Sequence, residues 1–153
     1  ALQGVEAYDA AERQFRRALE LLPLAVSADP DASPRLNLAL GFVLCDRAAY
    51  RDGLDVALAV EASFAAAGTG DTPLHVRLHD LLSNARYNLA EFEAAERHAL
   101  LAVEMHERIA GPNSEDGAQL RVQHAFHLVR ANKLDAALQE IEPALQMLEK
   151  GSP

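Results

Sequence analysis

The chain has 153 residues, of which 50% are hydrophobic and 5% aromatic, and its formal net charge is −9 at pH 7. This length suits one domain with a sizeable core. The excess of acidic residues opposes non-specific binding to phosphate backbones or to anionic lipid. The sequence contains no run of about twenty apolar residues, so it predicts no membrane span. Its single cysteine, Cys45, cannot form an internal disulfide, which favours a reducing compartment and hence the cytoplasm.

The first predicted element is an amphipathic helix in residues 1–27. In the stretch YDAAERQFRRALELLP, apolar residues recur at intervals of three and four until a proline stops the run, and they are Tyr8, Ala11, Phe15 and Ala18. A helix with such a face has to be covered by neighbouring helices. Residues 1–7 look like the end of a missing partner helix, so we expect a fragment of a longer protein, or self-association through a terminal face.

Three predicted helical hairpins follow the first helix, and they occupy residues 32–69, 74–111 and 116–150. The connectors before them, SADPDASP, GTGDTP and AGPNSEDG, are rich in residues that end one helix and begin the next. The second helix of each hairpin is predicted to begin near a bulky apolar residue, which is Tyr50, Phe92 or Leu134. In the last of these helices, Pro143 predicts a kink or an end.

The same residue types recur every 42 positions along the whole chain. The bulky position is Tyr8, Tyr50, Phe92 and Leu134, and the small position three residues later is Ala11, Gly53, Ala95 and Ala137. Turn residues keep the same register at Asp29, Asp71 and Asn113. A fixed period that includes both apolar and turn positions indicates a repeat architecture.

The first predicted helix resembles the second helix of the tetratricopeptide repeat, because it has an aromatic, a small residue, another aromatic, an alanine and a closing proline at Tyr8, Ala11, Phe15, Ala18 and Pro23. The period of 42 is similar to the longer variant of kinesin light chains and bacterial signalling proteins, because the usual period is about 34. This resemblance implies an all-α, right-handed superhelix of about three and a half helix–turn–helix repeats. It also implies a protein–protein interaction module within a signalling or regulatory protein.

Residues that often carry chemistry do not form a recognisable catalytic pattern. His75 and His79 lie one helical turn apart, a spacing that can hold a metal, but the simpler interpretation is a pair of solvent-facing histidines. His124 and His127 are expected to line a helix contact or the edge of a groove. Cys45 lies in an apolar helix and is expected to be a small packing residue. We therefore predict no enzyme, no metal and no cofactor.

The concave surface of such a superhelix is lined by the first helix of each hairpin. Leu36, Leu40 and Leu44 form the buried stripe of the first one, and 100° steps place Leu38 and Cys45 on the opposite face. The predicted groove residues on these helices are Arg35, Phe42, Arg77, Asn84, Tyr87, Asn88, Phe126 and Arg130. The alternative for Phe42 and Phe126 is packing against neighbouring first helices.

The groove composition predicts a protein or peptide partner. Aromatic side chains would anchor the partner, while amides and guanidinium groups would bond its backbone. RNA-binding helical repeats need a cationic groove, so nucleic acid is excluded on charge and period. Some tetratricopeptide domains hold a terminal carboxylate with a Lys/Asn pair, but here only Asn84 matches, and Asp80 would repel a carboxylate.

The alternative function is assembly into a homo-oligomer through the terminal helices.

Overall fold

The computed structural model describes residues 2–24, 29–68 and 70–151. Within those ranges the chain forms seven α-helices and no β-strand, which confirms the all-α prediction. The helices belong to two compact units, which we call unit 1 (residues 1–69) and unit 2 (residues 70–153).

Unit 1 contains three α-helices among its described residues. Helix α1 spans Leu2–Leu21 and continues as a 3₁₀ turn at Leu22–Leu24, α2 spans Ala32–Asp46, and α3 spans Tyr50–Ala67. The α-helical bonding of α1 stops just before Pro23, because proline has no N–H to donate. Helix α1 packs against α2, and α2 packs against α3.

Unit 2 contains two helical hairpins. They consist of α4 (Pro73–Asn88) with α5 (Phe92–Ala110), and of α6 (Glu115–Arg130) with α7 (Leu134–Gly151). Each helix packs against the next one along the chain, so α5 also contacts α6. Helices α3, α5 and α7 begin at the three residues that the 42-residue spacing predicts.

The turns inside the three described hairpins share one backbone conformation. Each contains a non-glycine residue with positive φ, namely Ala48 (63°), Ala90 (63°) or Asn132 (59°), and these lie 42 residues apart. In each turn the following N–H donates to the carbonyl five residues earlier: Ala49 to Leu44 (2.8 Å), Glu91 to Arg86 (2.9 Å) and Lys133 to Leu128 (2.8 Å). This is the Schellman helix ending, which usually carries glycine or asparagine at the positive-φ position.

Helices α2 and α3 come close together at Gly53. A β-carbon there would lie 2.7 Å from Sγ of Cys45 and 3.1 Å from the backbone oxygen of Gly41. Cys45 is therefore a packing residue, as predicted, but it does not face a groove. The helical-wheel expectation is wrong for both Leu38 and Cys45, which are 0% and 4% exposed, because α2 buries residues on more than one side.

The interior of unit 2 is built largely from small residues. The buried alanines of its helices are Ala85, Ala95, Ala99, Ala102, Ala118, Ala125, Ala137 and Ala144. Such residues let helix backbones approach closely, as the alanine-rich composition suggests. Helix α7 does not end at Pro143 but continues to Gly151. Pro143 and Gln139, whose carbonyl would lose its helical partner, are both exposed, so water can bond that carbonyl.

Candidate functional site

The predicted groove residues are divided between the two units. Arg35 and Phe42 lie on α2 of unit 1, where Arg35 is exposed and pairs with Asp29 (Nη2 to Oδ2, 3.2 Å), and Phe42 is half-buried. The other six lie on α4 and α6 of unit 2. The candidate site therefore lies within unit 2.

Four predicted residues follow one side of α4. Arg77, Asn84, Tyr87 and Asn88 stand at positions i, i+7, i+10 and i+11, a spacing that places them on the same helix face. Nδ2 of Asn88 donates to the backbone oxygen of Asn84 (2.9 Å) and to its Oδ1 (3.0 Å). The two amides thus form a paired polar surface that can both donate and accept hydrogen bonds.

Tyr87 and Arg130 both contact the ring of Phe92, the first residue of α5. The ring of Tyr87 lies edge-on to Phe92, with centroids 5.6 Å apart, and edge-on to His127, with centroids 4.8 Å apart. The guanidinium carbon of Arg130 is 5.0 Å from the centre of the Phe92 ring, a cation–π contact. These two predicted residues therefore also hold α4, α5 and α6 together.

A partly open pocket of about 500 Å³ lies between α4, the end of α5 and the first half of α6. Its apolar lining consists of Pro73, Val76, Ile109, Ala110 and Leu120. Its polar lining consists of Arg77, Asp80, His106, Asp116, Gln119 and Gln123. A concave site of this volume, with an apolar wall and a few polar groups, suits a ligand side chain.

Asp80 is the half-buried carboxylate of this pocket. Burial raises its pKa above the ordinary value, while a hydrogen bond with Gln123 and the positive charge of Arg77 act in the opposite direction. At the entrance to α6, Ser114 accepts from the N–H of Gly117 (3.0 Å) and bonds Nε2 of His106 (2.6 Å). The pocket is thus bordered by a capped helix start and a partly desolvated carboxylate.

Buried histidines connect the helices of unit 2. Oγ of Ser83 on α4 bonds Nε2 of His127 on α6 at 2.8 Å. His79 and His98 are stacked with centroids 5.2 Å apart, and their Nδ1 atoms lie 3.0 Å apart. Burial lowers the pKa of both His98 and His127 to about 4. The expectation of a solvent-facing His79 is therefore wrong, whereas His124 and His127 do lie buried at a helix contact, one of the two places expected for them.

These groups bear on whether unit 2 could hold a metal. His79 and His98 offer two nitrogen ligands, which is half of a tetrahedral zinc set.

In unit 1, the thiol of Cys45 is not poised as a thiolate nucleophile. Burial, with a smaller contribution from Asp46, raises its pKa to about 11.

An exposed apolar patch covers one side of the α6/α7 hairpin. Phe126, one of the predicted groove residues, is 63% exposed and borders this patch. The patch encloses a shallow cavity of about 350 Å³, lined by Ala125, Phe126, Val129, Leu134, Ala137, Leu138 and Ile141. We call it the α6/α7 patch.

The pocket includes residues that the sequence analysis did not assign to the site. His106, Ile109 and Ala110 belong to the end of α5, whereas the predicted groove uses first helices only. The signal for them was present, because a period longer than 34 implies an extended second helix that reaches beyond its partner.

Comparison with solved structures identifies the fold of the chain. BtubC (BKLC) from P. vanneervenii superposes on 98% of this chain with a TM-score of 0.87 at 19% identity. PlcR from Bacillus thuringiensis, crystallised in complex with the peptide PapR7 and DNA, superposes on 93% with a TM-score of 0.75 at 15% identity. The chain covers 59% and 50% of those two proteins, respectively.

No protein-family model and no curated protein sequence matches the chain. None of the helices within the described ranges has the length and the apolar character that crossing a bilayer requires. At identities below 20%, the structural likeness establishes the fold and nothing finer. The chain has the tetratricopeptide-like helical-repeat fold that its 42-residue period predicts.

Proposed function

We propose that the chain is a non-catalytic protein-interaction module that binds an extended peptide or a partner helix on the α4/α6 side of unit 2. The observation that carries this proposal is the pocket of about 500 Å³, which has an apolar wall and lies on the same helix as the paired amides of Asn84 and Asn88. The apolar wall suits a partner side chain, and the amides suit a partner backbone.

The comparison proteins support a binding role of this kind. PlcR was crystallised with a peptide, and 50% of its chain shares the fold found here. The same crystal also contains DNA, so the comparison does not support the exclusion of nucleic acid, which rests on the net charge of −9 and on the repeat period. We further propose a cytoplasmic, bacterial-type signalling or regulatory role, in keeping with the buried free thiol of Cys45.

The test compares binding to a partner recovered from the native lysate and then purified. The double variant Arg77→Ala/Asn84→Ala should weaken binding about tenfold or more without lowering the melting temperature, because Arg77 is exposed and Asn84 is only half-buried. The matched control is Arg97→Ala/Asn113→Ala, which removes the same two side-chain types from exposed positions elsewhere in unit 2. Equal binding by both double variants would reject the site.

Assembly through the α6/α7 patch is the second candidate function. The observation that favours it is the exposure of large apolar side chains next to one another, including Phe126, Leu134 (56%) and Leu138 (57%). Sedimentation velocity should show concentration-dependent association that Phe126→Ser/Leu138→Ser abolishes. The control, Leu58→Ser/Leu100→Ser, changes two leucines of lower exposure on α3 and α5 and should leave association intact. A monomer at all concentrations would contradict this candidate.

A further inference from the structure

We propose that the pocket between α4, α5 and α6 receives a lysine or arginine side chain of the partner peptide, and that Asp80 is the residue that recognises its positive charge. This inference rests on the proposed peptide-binding function and names the kind of side chain that the site takes. The pocket combines two features that such a side chain needs, an apolar wall and a carboxylate.

The apolar wall fits the aliphatic part of a long basic side chain. Val76 on α4, Ile109 at the end of α5 and Leu120 on α6 all line the pocket. Lysine and arginine bury their methylene stems along such surfaces while keeping the charged group at a polar end. A volume of about 500 Å³ is at the scale of sites that enclose a small ligand, so one side chain and part of its backbone can enter.

The charge of the lining favours a cation. Among the described residues of the pocket, Asp80 and Asp116 carry carboxylates and Arg77 carries the guanidinium, so the fixed charges sum to −1. Arg77 is exposed, and water screens its positive charge, so it offsets the negative charge of the half-buried Asp80 only in part. A bound cation would offset the cost of burying the Asp80 carboxylate, whereas an anionic side chain would face two carboxylates.

The polar contact of Asp80 orients it for this role. Gln123 on α6 hydrogen bonds with the carboxylate of Asp80 on α4, so that the side chain is held between the two helices that border the pocket. Because a carboxylate accepts several hydrogen bonds, the bond from Gln123 leaves acceptor capacity for an ammonium or guanidinium group.

Peptides that differ at one position test the proposal. Four pools of acetylated, amidated nonapeptides carry Lys, Arg, norleucine or Glu at the centre, with flanks randomised over Ala, Ser, Leu and Tyr. Norleucine has the aliphatic length of lysine without the charge. NMR titration of the full chain should give Lys and Arg pools that bind about tenfold tighter than the norleucine pool, with the Glu pool weakest. Higher salt should reduce the difference in affinity between the Lys and Arg pools and the norleucine pool.

Variants assign the preference to Asp80. Asp80→Asn should bind all four pools with affinities within about twofold of one another, while circular dichroism stays unchanged. The control Asp135→Asn removes an exposed carboxylate from the first turn of α7 and should keep the tenfold preference. Equal binding of Lys and norleucine pools by the wild-type chain would overturn the inference but keep the peptide site. No binding of any pool would overturn the proposed function as well.

Discussion

The α2/α3 hairpin of unit 1 and the helix pairs of unit 2 follow the same 42-residue register, but the residues that fill their interior contacts differ in chemistry. In unit 1 the contact is a close approach of backbone to a buried thiol, with Gly53 against Cys45. In unit 2, Ser83 occupies the register position of Gly41, and its hydroxyl bonds His127 on the next hairpin. All six histidines of the chain fall between residues 75 and 127, so every one of them belongs to unit 2.

The difference shows that the repeat fixes where helices meet but not what fills the contact. One equivalent position of the three first helices is Leu40 in α2, Leu82 in α4 and His124 in α6, and all three residues are buried. An apolar contact stabilises independently of pH, whereas a buried histidine must stay neutral. The two units should therefore respond differently to acid and to added volume, whereas their shared turns should respond alike where the positive-φ residue is alanine.

The largest expected effect is a loss of stability of unit 2 in mild acid. Burial lowers the pKa of His98 and His127 from the ordinary 6.5 to about 4 in the fold, and it also lowers the pKa of His124. Because the folded pKa lies below the unfolded one, the unfolded state binds more protons between pH 6.5 and 4. The contribution of these histidines to the free energy of unfolding is thus complete above pH 6.5 and is lost as the pH falls to 4. The loss is about 3 kcal/mol in total after allowance for partial exposure.

Hydrogen exchange followed by mass spectrometry at pH 7 and pH 5 measures this loss in each unit. After correction for intrinsic exchange rates, protection should fall in α6 more than in α2 and α3. The variant His127→Gln keeps a group that can bond Ser83 but cannot gain a proton in this range, so it should flatten the pH dependence. Equal loss of protection in both units would contradict the comparison.

A smaller effect is expected from adding one carbon to the contact in unit 1. Gly53→Ala should destabilise by about 1–3 kcal/mol in urea unfolding, despite the better helix propensity of alanine, because the new β-carbon meets Sγ of Cys45. Cys45→Ala in the same chain should recover part of the loss, so the two changes are not additive. The register-matched reverse change, Ala95→Gly in α5, should cost about 1 kcal/mol through helix propensity and a small cavity. A Gly53→Ala variant as stable as the wild type would show that the contact can relax.

The smallest expected effect compares the shared helix endings. Ala48→Gly in unit 1 and Ala90→Gly in unit 2 should each stabilise by about 0.5–1 kcal/mol, because alanine is strained at a φ of 63° and glycine is not. Asn132→Gly should change stability by only a few tenths of a kcal/mol, since asparagine tolerates this conformation. Thermal or urea unfolding of the three single variants checks the order. A gain for Asn132→Gly as large as for the alanines would remove strain as the explanation.

The architecture was accessible to sequence analysis because it repeats. The starts of α3, α5 and α7 followed from Tyr50, Phe92 and Leu134, since one spacing was seen several times over. The helix ending at Ala48 and Ala90 was not predictable, because alanine carries no turn signal and the conformation is imposed by the hydrogen bonds of the hairpin.

The candidate site was accessible only in part, because side-chain contacts join residues far apart in sequence. Arg77 was predicted and lines the pocket, yet the pocket wall at Ile109 comes from a second helix, which a search of first helices omits. The sequence gives no sign that His79 is buried, because its partner, His98, lies 19 residues away on another helix. A polar residue type alone does not reveal that a second polar group will share its burial.

The repeated helix ending has a consequence for how such a chain changes length. Because Ala48, Ala90 and Asn132 close their turns with the same hydrogen bonds, the segment that follows any one of them begins from the same backbone direction. Recombination that duplicates or removes a whole 42-residue step would rejoin two compatible ends. A step of any other size would move the positive-φ residue out of register with the end of its helix, so changes by whole repeats preserve these turns and shorter insertions do not.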